Sequence, residues 1–272
     1  MRAYGQYAAG AYSASSLEQV IGALRGAAVV NAPLIIQISY KARQNAGPGV
    51  LEAAVHASVS NFPEVTIALH LDHGDGAACV EYISSGEYSS VMIDASRESL
   101  EGNIATTRRV ADLAHACGMS VEAELGRLGG KGEEVVVDAS DEFLTDPSVA
   151  AEFVGRSGCD SLAVAVGTSH GLAKYTVETG LSLDRLAAIQ ELLPGFPLVL
   201  HGSSSVPQSE VRRIIAAGGG IDPRARGVTD DEYRRAVPLG ATKINVDTDG
   251  RLVWTRVQRE FLRDHAEEVD FR

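Results

Sequence analysis

The chain has 272 residues, of which 45% are hydrophobic and 22% charged, and carries a formal net charge of −12. That length supports one large domain with a well-buried core, and no apolar run approaches the roughly 20 residues that a membrane helix needs. The acidity argues against a nucleic-acid partner, which requires a basic face, so an anionic substrate would depend on local cations or backbone amides. The N-terminal Met1-Arg2-Ala3-Tyr4-Gly5-Gln6 lacks the basic stretch and apolar core of a signal peptide, and a soluble cytoplasmic protein is expected. Cys79, Cys117 and Cys159 are odd in number and without CxxC spacing, and are read as small buried hydrophobes.

Along the chain, short β-branched runs alternate with amphipathic stretches. The runs are residues 8–12, 33–39, 65–71, 89–94, 120–125, 161–166, 197–201 and 241–246. Segments such as Leu34-Ile35-Ile36 and Leu198-Val199-Leu200 are continuously apolar, as in parallel strands buried on both faces. Between them, Val110, Leu113, Ala114 and Cys117 fall on one helical face. Ser15 with Glu18, and Thr229 with Glu232, have capping-box spacing at helix starts. Eight strands alternating with helices in one undivided chain predict a (β/α)8 barrel over residues 1–272, with a doubly wound open sheet as the other topology. Residues 126–142 form a long polar glycine-rich connection, suited to a loop over a site. Residues 218–238 read as a decoration on the far face, without a catalytic role.

Catalytic groups of a barrel sit at the C-terminal ends of its strands. In chain order those ends carry His70-Leu71-Asp72-His73-Gly74, Met92-Ile93-Asp94, Glu122-Ala123-Glu124-Leu125-Gly126, Gly167-Thr168-Ser169-His170-Gly171, His201-Gly202-Ser203-Ser204-Ser205 and Asn245-Val246-Asp247-Thr248. Four of the seven histidines, His70, His73, His170 and His201, lie at these ends, while His56, His115 and His265 fall on predicted helices. Imidazoles converging from different strands, with an open fourth position, are how a catalytic zinc is held, and Asp94 and Glu124 lie nearby. Zinc of that kind polarises a carbonyl and stabilises the enediolate formed beside it. Asp72, next to His73, is placed to move protons at a second carbonyl. Gly171, Gly202 and Ser204 lie in amide-rich turns suited to phosphate, with Lys174, one of only four lysines, close by.

These segments, in this order, resemble the signature segments of class II fructose-bisphosphate and tagatose-bisphosphate aldolases, over residues 10–251. The resemblance implies a zinc-dependent aldolase that uses dihydroxyacetone phosphate and an aldehyde, with His73, His170 and His201 as zinc ligands. It implies Asp94 and Glu124 at an alternative or second metal position, and Asp72 as acid/base at the aldehyde oxygen. Gly171, Lys174, Gly202, Ser204, Asp247 and Thr248 would surround the donor phosphate or a monovalent cation beside it. Asn245 would hold the ketone end, and a homodimer or homotetramer is implied.

The acceptor half departs from the family pattern. Ser13 stands where an asparagine is usual, and the loop glutamate that moves the donor proton could be Glu133 or Glu134. Arg251 matches an arginine that reaches the acceptor's phosphate, and a guanidinium would equally hold a carboxylate. Ser13 and the chain's end at Arg272 tilt the expectation towards a specialised acceptor such as aspartate 4-semialdehyde, with fructose 1,6-bisphosphate as the alternative. Three rivals are a Schiff-base aldolase using Lys243, a barrel that binds sugar phosphate without chemistry, and a metal-dependent isomerase.

Overall fold

Strands that are apolar on both faces need cover on both faces. The structure, a computed structural model describing residues 4–126, 144–169 and 180–270, provides it by closing the sheet on itself. The strands are β1 (Ala9–Ser13), β2 (Leu34–Ser39), β3 (Ile67–Gly74), β4 (Ser90–Ile93), β5 (Ser120–Leu125), β6 (Ser161–Val164), β7 (Leu198–Leu200) and β8 (Ala241–Val246). Each pairs in parallel with the next, and β8 pairs with β1. The predicted barrel forms; the open sheet does not.

Helices α1 (Leu17–Val30), α2 (Tyr40–Ala46), α3 (Val50–Val59), α4 (Gly76–Ser85), α5 (Leu100–Ala116), α6 (Pro147–Ser157), α7 (Leu183–Leu192), α8 (Gln208–Ala216), α9 (Asp230–Ala236) and α10 (Thr248–Asp264) supply the outer layer. No helix among the described residues is long and apolar enough to cross a membrane. Strand alternation puts Ile36, Leu69, Leu71, Val91, Val121 and Leu162 outward, where they bury against Leu24, Val55, Tyr82, Phe153 and Ile189 of the helices. Each such side chain contributes roughly 1.5–3 kcal/mol when buried. The opposite set faces the barrel interior: His70 and Asp72 on β3, Glu122 and Glu124 on β5, Lys243 and Asn245 on β8. Inside, Met92, Ala163 and Val199 make a small separate apolar cluster. With His70, Asp72, Glu122, Glu124, Lys243 and Asn245, the interior carries more charge than a barrel centre filled by branched aliphatic residues.

Several expectations change. β3 continues three residues past Leu71, through Asp72 and His73 to Gly74. The first helix is capped by Ser16, which accepts from the Gln19 amide, while the Gln19 side chain accepts from the Ser15 amide. The spacing therefore holds one residue later than the Ser15–Glu18 reading. The Thr229–Glu232 capping box forms as expected. On α5 the inner face is Ile104, Thr107, Val110, Ala111 and Ala114, whereas Leu113 and Cys117 face outward, so Cys117 is not a buried hydrophobe. Cys79 and Cys159 are buried. His56 and His115 sit on helices, paired with Glu87 and Asp160, and His265 caps the end of α10.

The segment over residues 218–238 also moves. It climbs back to the site end of the barrel: the Val228 amide donates to Ser204 O and the Tyr233 hydroxyl donates to Ser203 O. The Leu181 amide donates to Glu232 Oε1. This segment braces the loop after β7 and is not a decoration on the far face.

Candidate active site

The site begins with a break in strand alternation. Consecutive strand residues face opposite sides, so Asp72 and His73 could not both enter the barrel mouth from a regular strand. The pairing of β3 with β4 slips between Leu71 and Gly74, and His73 takes a left-handed backbone with φ 50°. A non-glycine residue seldom adopts that conformation, and it turns the imidazole to the same side as the Asp72 carboxylate. Asp94, just past β4, is tied alongside by its amide donating to Gly74 O.

Hydrogen bonds then set the two imidazoles. His73 Nδ1 lies 2.9 Å from Asp94 Oδ2, and His201 Nε2 lies 2.8 Å from Glu122 Oε1. An ionised carboxylate only accepts, which favours a proton on each of these nitrogens, while Asn245 Nδ2 also lies 3.1 Å from His201 Nε2. The remaining nitrogens, His73 Nε2 and His201 Nδ1, approach to 3.1 Å with the rings edge to face. Two lone pairs that close repel unless a cation, a proton or a metal ion, lies between them. The separation is also close to the roughly 3.3 Å edge of a tetrahedron built from Zn–N bonds of about 2.0–2.1 Å. Carboxylate oxygens complete two candidate groups, Asp72 with His73 and His201, and His73 with Asp94 and Glu124, whose ligand atoms lie within 4.8 Å of one another. The residues fit a divalent metal.

The electrostatics favour a positive charge at this place. Burial alone would depress the His73 imidazole, yet Asp72, Asp94 and Glu124 outweigh it and push it up to about 10. Burial dominates at His201 and holds it below its ordinary value. Burial raises the Asp72 carboxyl, but His73, His201 and Lys243 together hold it below the usual carboxylate range. Asp72 is steered from two sides: Asn245 Nδ2 donates to Oδ1 at 3.3 Å and Gln37 Nε2 to Oδ2 at 3.3 Å. Gln37 Nε2 also reaches Ser13 Oγ at 3.0 Å. Asp94 Oδ1 accepts from the amide and hydroxyl of Ser96, so Asp94 acts on His73 from a fixed position. Glu124 Oε2 lies 3.7 Å from His73 Nδ1 and 3.8 Å from His201 Nδ1.

Beneath the imidazoles lies a buried polar layer that the sequence reading did not assign. Glu122 bridges His201 through Oε1 and Lys243 through Oε2, where Nζ stands 2.8 Å away. His70 contacts Ser90 Oγ at 2.7 Å through Nδ1, with Nε2 3.6 Å from Glu122. Burial, followed by Lys243, drives its imidazole down to about 3, so His70 is neutral. His70 is thus a wall of this layer and stands apart from the converging pair. The signal for Glu122 was present: it has the same strand parity as Glu124, and a charge on a strand covered by helices must point inward. Gln37 carries the same signal, as the one amide in the apolar run of β2.

The loop after β7 and the start of α10 form a second cluster. A β-carbon at Gly202, where φ is 60°, would sit 2.7 Å from Ser169 O, so only glycine lets the loops after β6 and β7 approach this closely. Ser204 Oγ accepts from the amides of Asp247 and Thr248, at 3.2 and 3.1 Å, leaving its hydroxyl proton free to point elsewhere. Asp249 accepts from the Ser205 amide and hydroxyl and from the Val206 amide, holding Val206 in a left-handed conformation with φ 46°. Arg251 is exposed and pairs with Asp247 at 2.8 Å. Predicted site residues His170, Gly171 and Lys174, with Glu133 and Glu134, lie outside the described residues.

A parallel barrel that gathers two imidazoles, flanking carboxylates and a buried aspartate at its strand ends has the form of a metal-dependent barrel enzyme. Residues 2–220 match the family model described as class II fructose-bisphosphate aldolase. A fructose-bisphosphate aldolase from Thermus caldophilus is 42% identical over 266 residues, covering 98% of this chain and 86% of the relative. One from Giardia intestinalis is 40% identical, covering 98% and 82%. Among solved structures, the YdjI aldolase of Escherichia coli K12 superposes with a TM-score of 0.68 at 25% identity, covering 95% of this chain and 90% of that one. The chain belongs to the class II fructose-bisphosphate aldolase family. It is an aldolase, and so a lyase of the metal-dependent class.

Proposed function

We propose that the chain is a zinc-dependent fructose-1,6-bisphosphate aldolase, with His73 and His201 holding the metal together with His170. The observation that carries this reading is the pair of imidazole nitrogens converging at 3.1 Å beside the Asp72 carboxylate. Two imidazoles with carboxylates nearby suit zinc and its borderline neighbours better than a hard, all-oxygen ion. Asp94 and Glu124 would serve a second or alternative metal position. The names of the relatives favour fructose 1,6-bisphosphate over the specialised acceptor that Ser13 suggested. Lys243 is engaged with Glu122 in the barrel interior, and the converging histidines favour the metal reading over a Schiff base.

The metal, when bound, supplies Lewis-acid polarisation of the donor carbonyl. The chain's own groups do the rest. In cleavage, ionised Asp72 takes the proton from the C4 hydroxyl, the C3–C4 bond breaks, and its electron pair stays on the C3 side. In synthesis the same carboxyl returns that proton to the aldehyde oxygen. Asn245 and Gln37 hold Asp72 at fixed angles, and Asn245 faces the ketone end. C3 then needs a proton, for which Glu133 and Glu134 are the candidates. Gly202, Ser204, Asp247 and Thr248 at the start of α10, with Gly171 and Lys174, would bind the donor phosphate, where helix amides favour an anion. Arg251 would meet the acceptor end.

The test is a comparison of kcat/KM for cleavage of fructose 1,6-bisphosphate and of tagatose 1,6-bisphosphate, and for condensation of dihydroxyacetone phosphate with aspartate 4-semialdehyde. Fructose 1,6-bisphosphate is expected to lead by at least about tenfold, the discrimination a modest pocket difference gives. A lead for aspartate 4-semialdehyde would restore the specialised acceptor.

A further inference from the structure

We propose that Lys243 is a positioning residue for the metal centre: by clamping one oxygen of Glu122 it keeps the other on His201 Nε2, and so fixes which ring nitrogen faces the metal. The inference rests on the reading of His73 and His201 as metal ligands. It starts from a residue that the chemistry above leaves unused, a buried lysine inside the barrel.

The geometry is a three-strand chain. Lys243 enters from β8, Glu122 from β5 and His201 from the end of β7, and all three side chains are buried. Lys243 Nζ stands 2.8 Å from Glu122 Oε2, and Glu122 Oε1 stands 2.8 Å from His201 Nε2, the shorter of two contacts there, since Asn245 Nδ2 lies 3.1 Å from the same nitrogen. The carboxylate therefore uses one oxygen for each neighbour, and two contacts fix its plane where one would let it swing. The pairing registers place Lys243 beside Val199 of β7 and Ala9 of β1. Glu122 lies beside Met92 of β4.

Removing the ammonium would change the pull on Glu122. Oε2 would keep His70 Nε2, 3.6 Å away on β3, as a polar neighbour. The carboxylate would then be drawn towards β3 and away from His201. A histidine ligand owes its ring orientation and its tautomer to the group on its other nitrogen, and loss of such a partner costs roughly 10–100-fold in metal affinity. Lys243 acts one step further out, through Glu122.

The test measures the zinc dissociation constant by competition with a chromophoric chelator, alongside circular dichroism and thermal unfolding to report the fold. Wild type, Lys243→Met, Lys243→Arg and His201→Ala are compared, with a Lys243→Met/Glu122→Gln double variant. Lys243→Met leaves Glu122 buried without a counter-charge and is at risk of misfolding, whereas the double variant buries no charge at this place. We expect zinc affinity about 10–100-fold weaker in Lys243→Met and in the double variant. Lys243→Arg, which keeps a cation on Oε2, should recover part of the loss; a role in packing alone would give no such recovery. A folded Lys243→Met or double variant that binds zinc within twofold of wild type would overturn the proposal. If wild type and His201→Ala bind zinc alike, the metal reading itself fails and takes the proposal with it. If only His201→Ala loses zinc, the metal reading stands and Lys243 has no part in it.

Discussion

Asp72→Asn is expected to lower kcat for fructose 1,6-bisphosphate cleavage by about 10²–10⁴-fold, the contribution of a positioned acid/base, while zinc stoichiometry stays at the wild-type value. The substitution keeps the side chain's shape and leaves an oxygen to accept from Asn245 or Gln37, both at 3.3 Å. What it removes is the carboxylate that takes up the hydroxyl proton. The outcome is sharp because the structure offers Asp72 a competing role. Its carboxylate lies close enough to His73 and His201 to be a metal ligand itself. Measured metal content decides between the two: activity lost with metal kept identifies the acid/base, and joint loss of both makes Asp72 a ligand. The acceptor arm of the assay adds a second check, since an acid/base at the aldehyde oxygen acts on every acceptor alike.

His201→Ala is expected to cost both zinc and turnover, by more than the roughly 10–100-fold in affinity that loss of an outer partner such as Glu122 causes. The imidazole is fully buried, with Nδ1 facing His73 Nε2 and Nε2 on Glu122, so an alanine leaves the metal one ligand short and Glu122 one donor short. His73→Ala should behave in the same way. Quantifying bound metal and kcat/KM in one preparation checks this. A metal-free His201→Ala protein with wild-type turnover would remove the metal from the account.

Much of this was legible in the chain because the signals were redundant. Eight apolar runs at barrel spacing, each ending in polar residues, fixed where strand ends and side-chain chemistry would meet. The histidines at those ends needed no structure to be noticed. What stayed hidden depended on backbone geometry or on contacts across strands. Nothing local marks His73 as left-handed, and without that turn a regular β3 would send His73 away from Asp72. Glu122 was read only as part of the segment around Glu124, although its parity pointed inward. The placement of residues 218–238 failed for another reason: the expected route between a helix and the next strand stays at the opposite end of the barrel. Here the chain returns to seat Val228 and Tyr233 on the loop after β7. The specialised acceptor illustrates a weaker kind of inference, since Ser13 and the chain's end at Arg272 favoured a reading that the relatives' names do not support.

A metal held by these histidines is expected to activate the dihydroxyacetone phosphate half of the reaction. The most direct test follows solvent deuterium exchange into dihydroxyacetone phosphate, with the enzyme as purified, after chelation, and after zinc is added back. This isolates the donor half-reaction from the identity of the aldehyde. Exchange that stops on chelation and returns with zinc is the expected result. Exchange that continues at the same rate in chelated enzyme would contradict the account and return attention to Lys243 as a nucleophile.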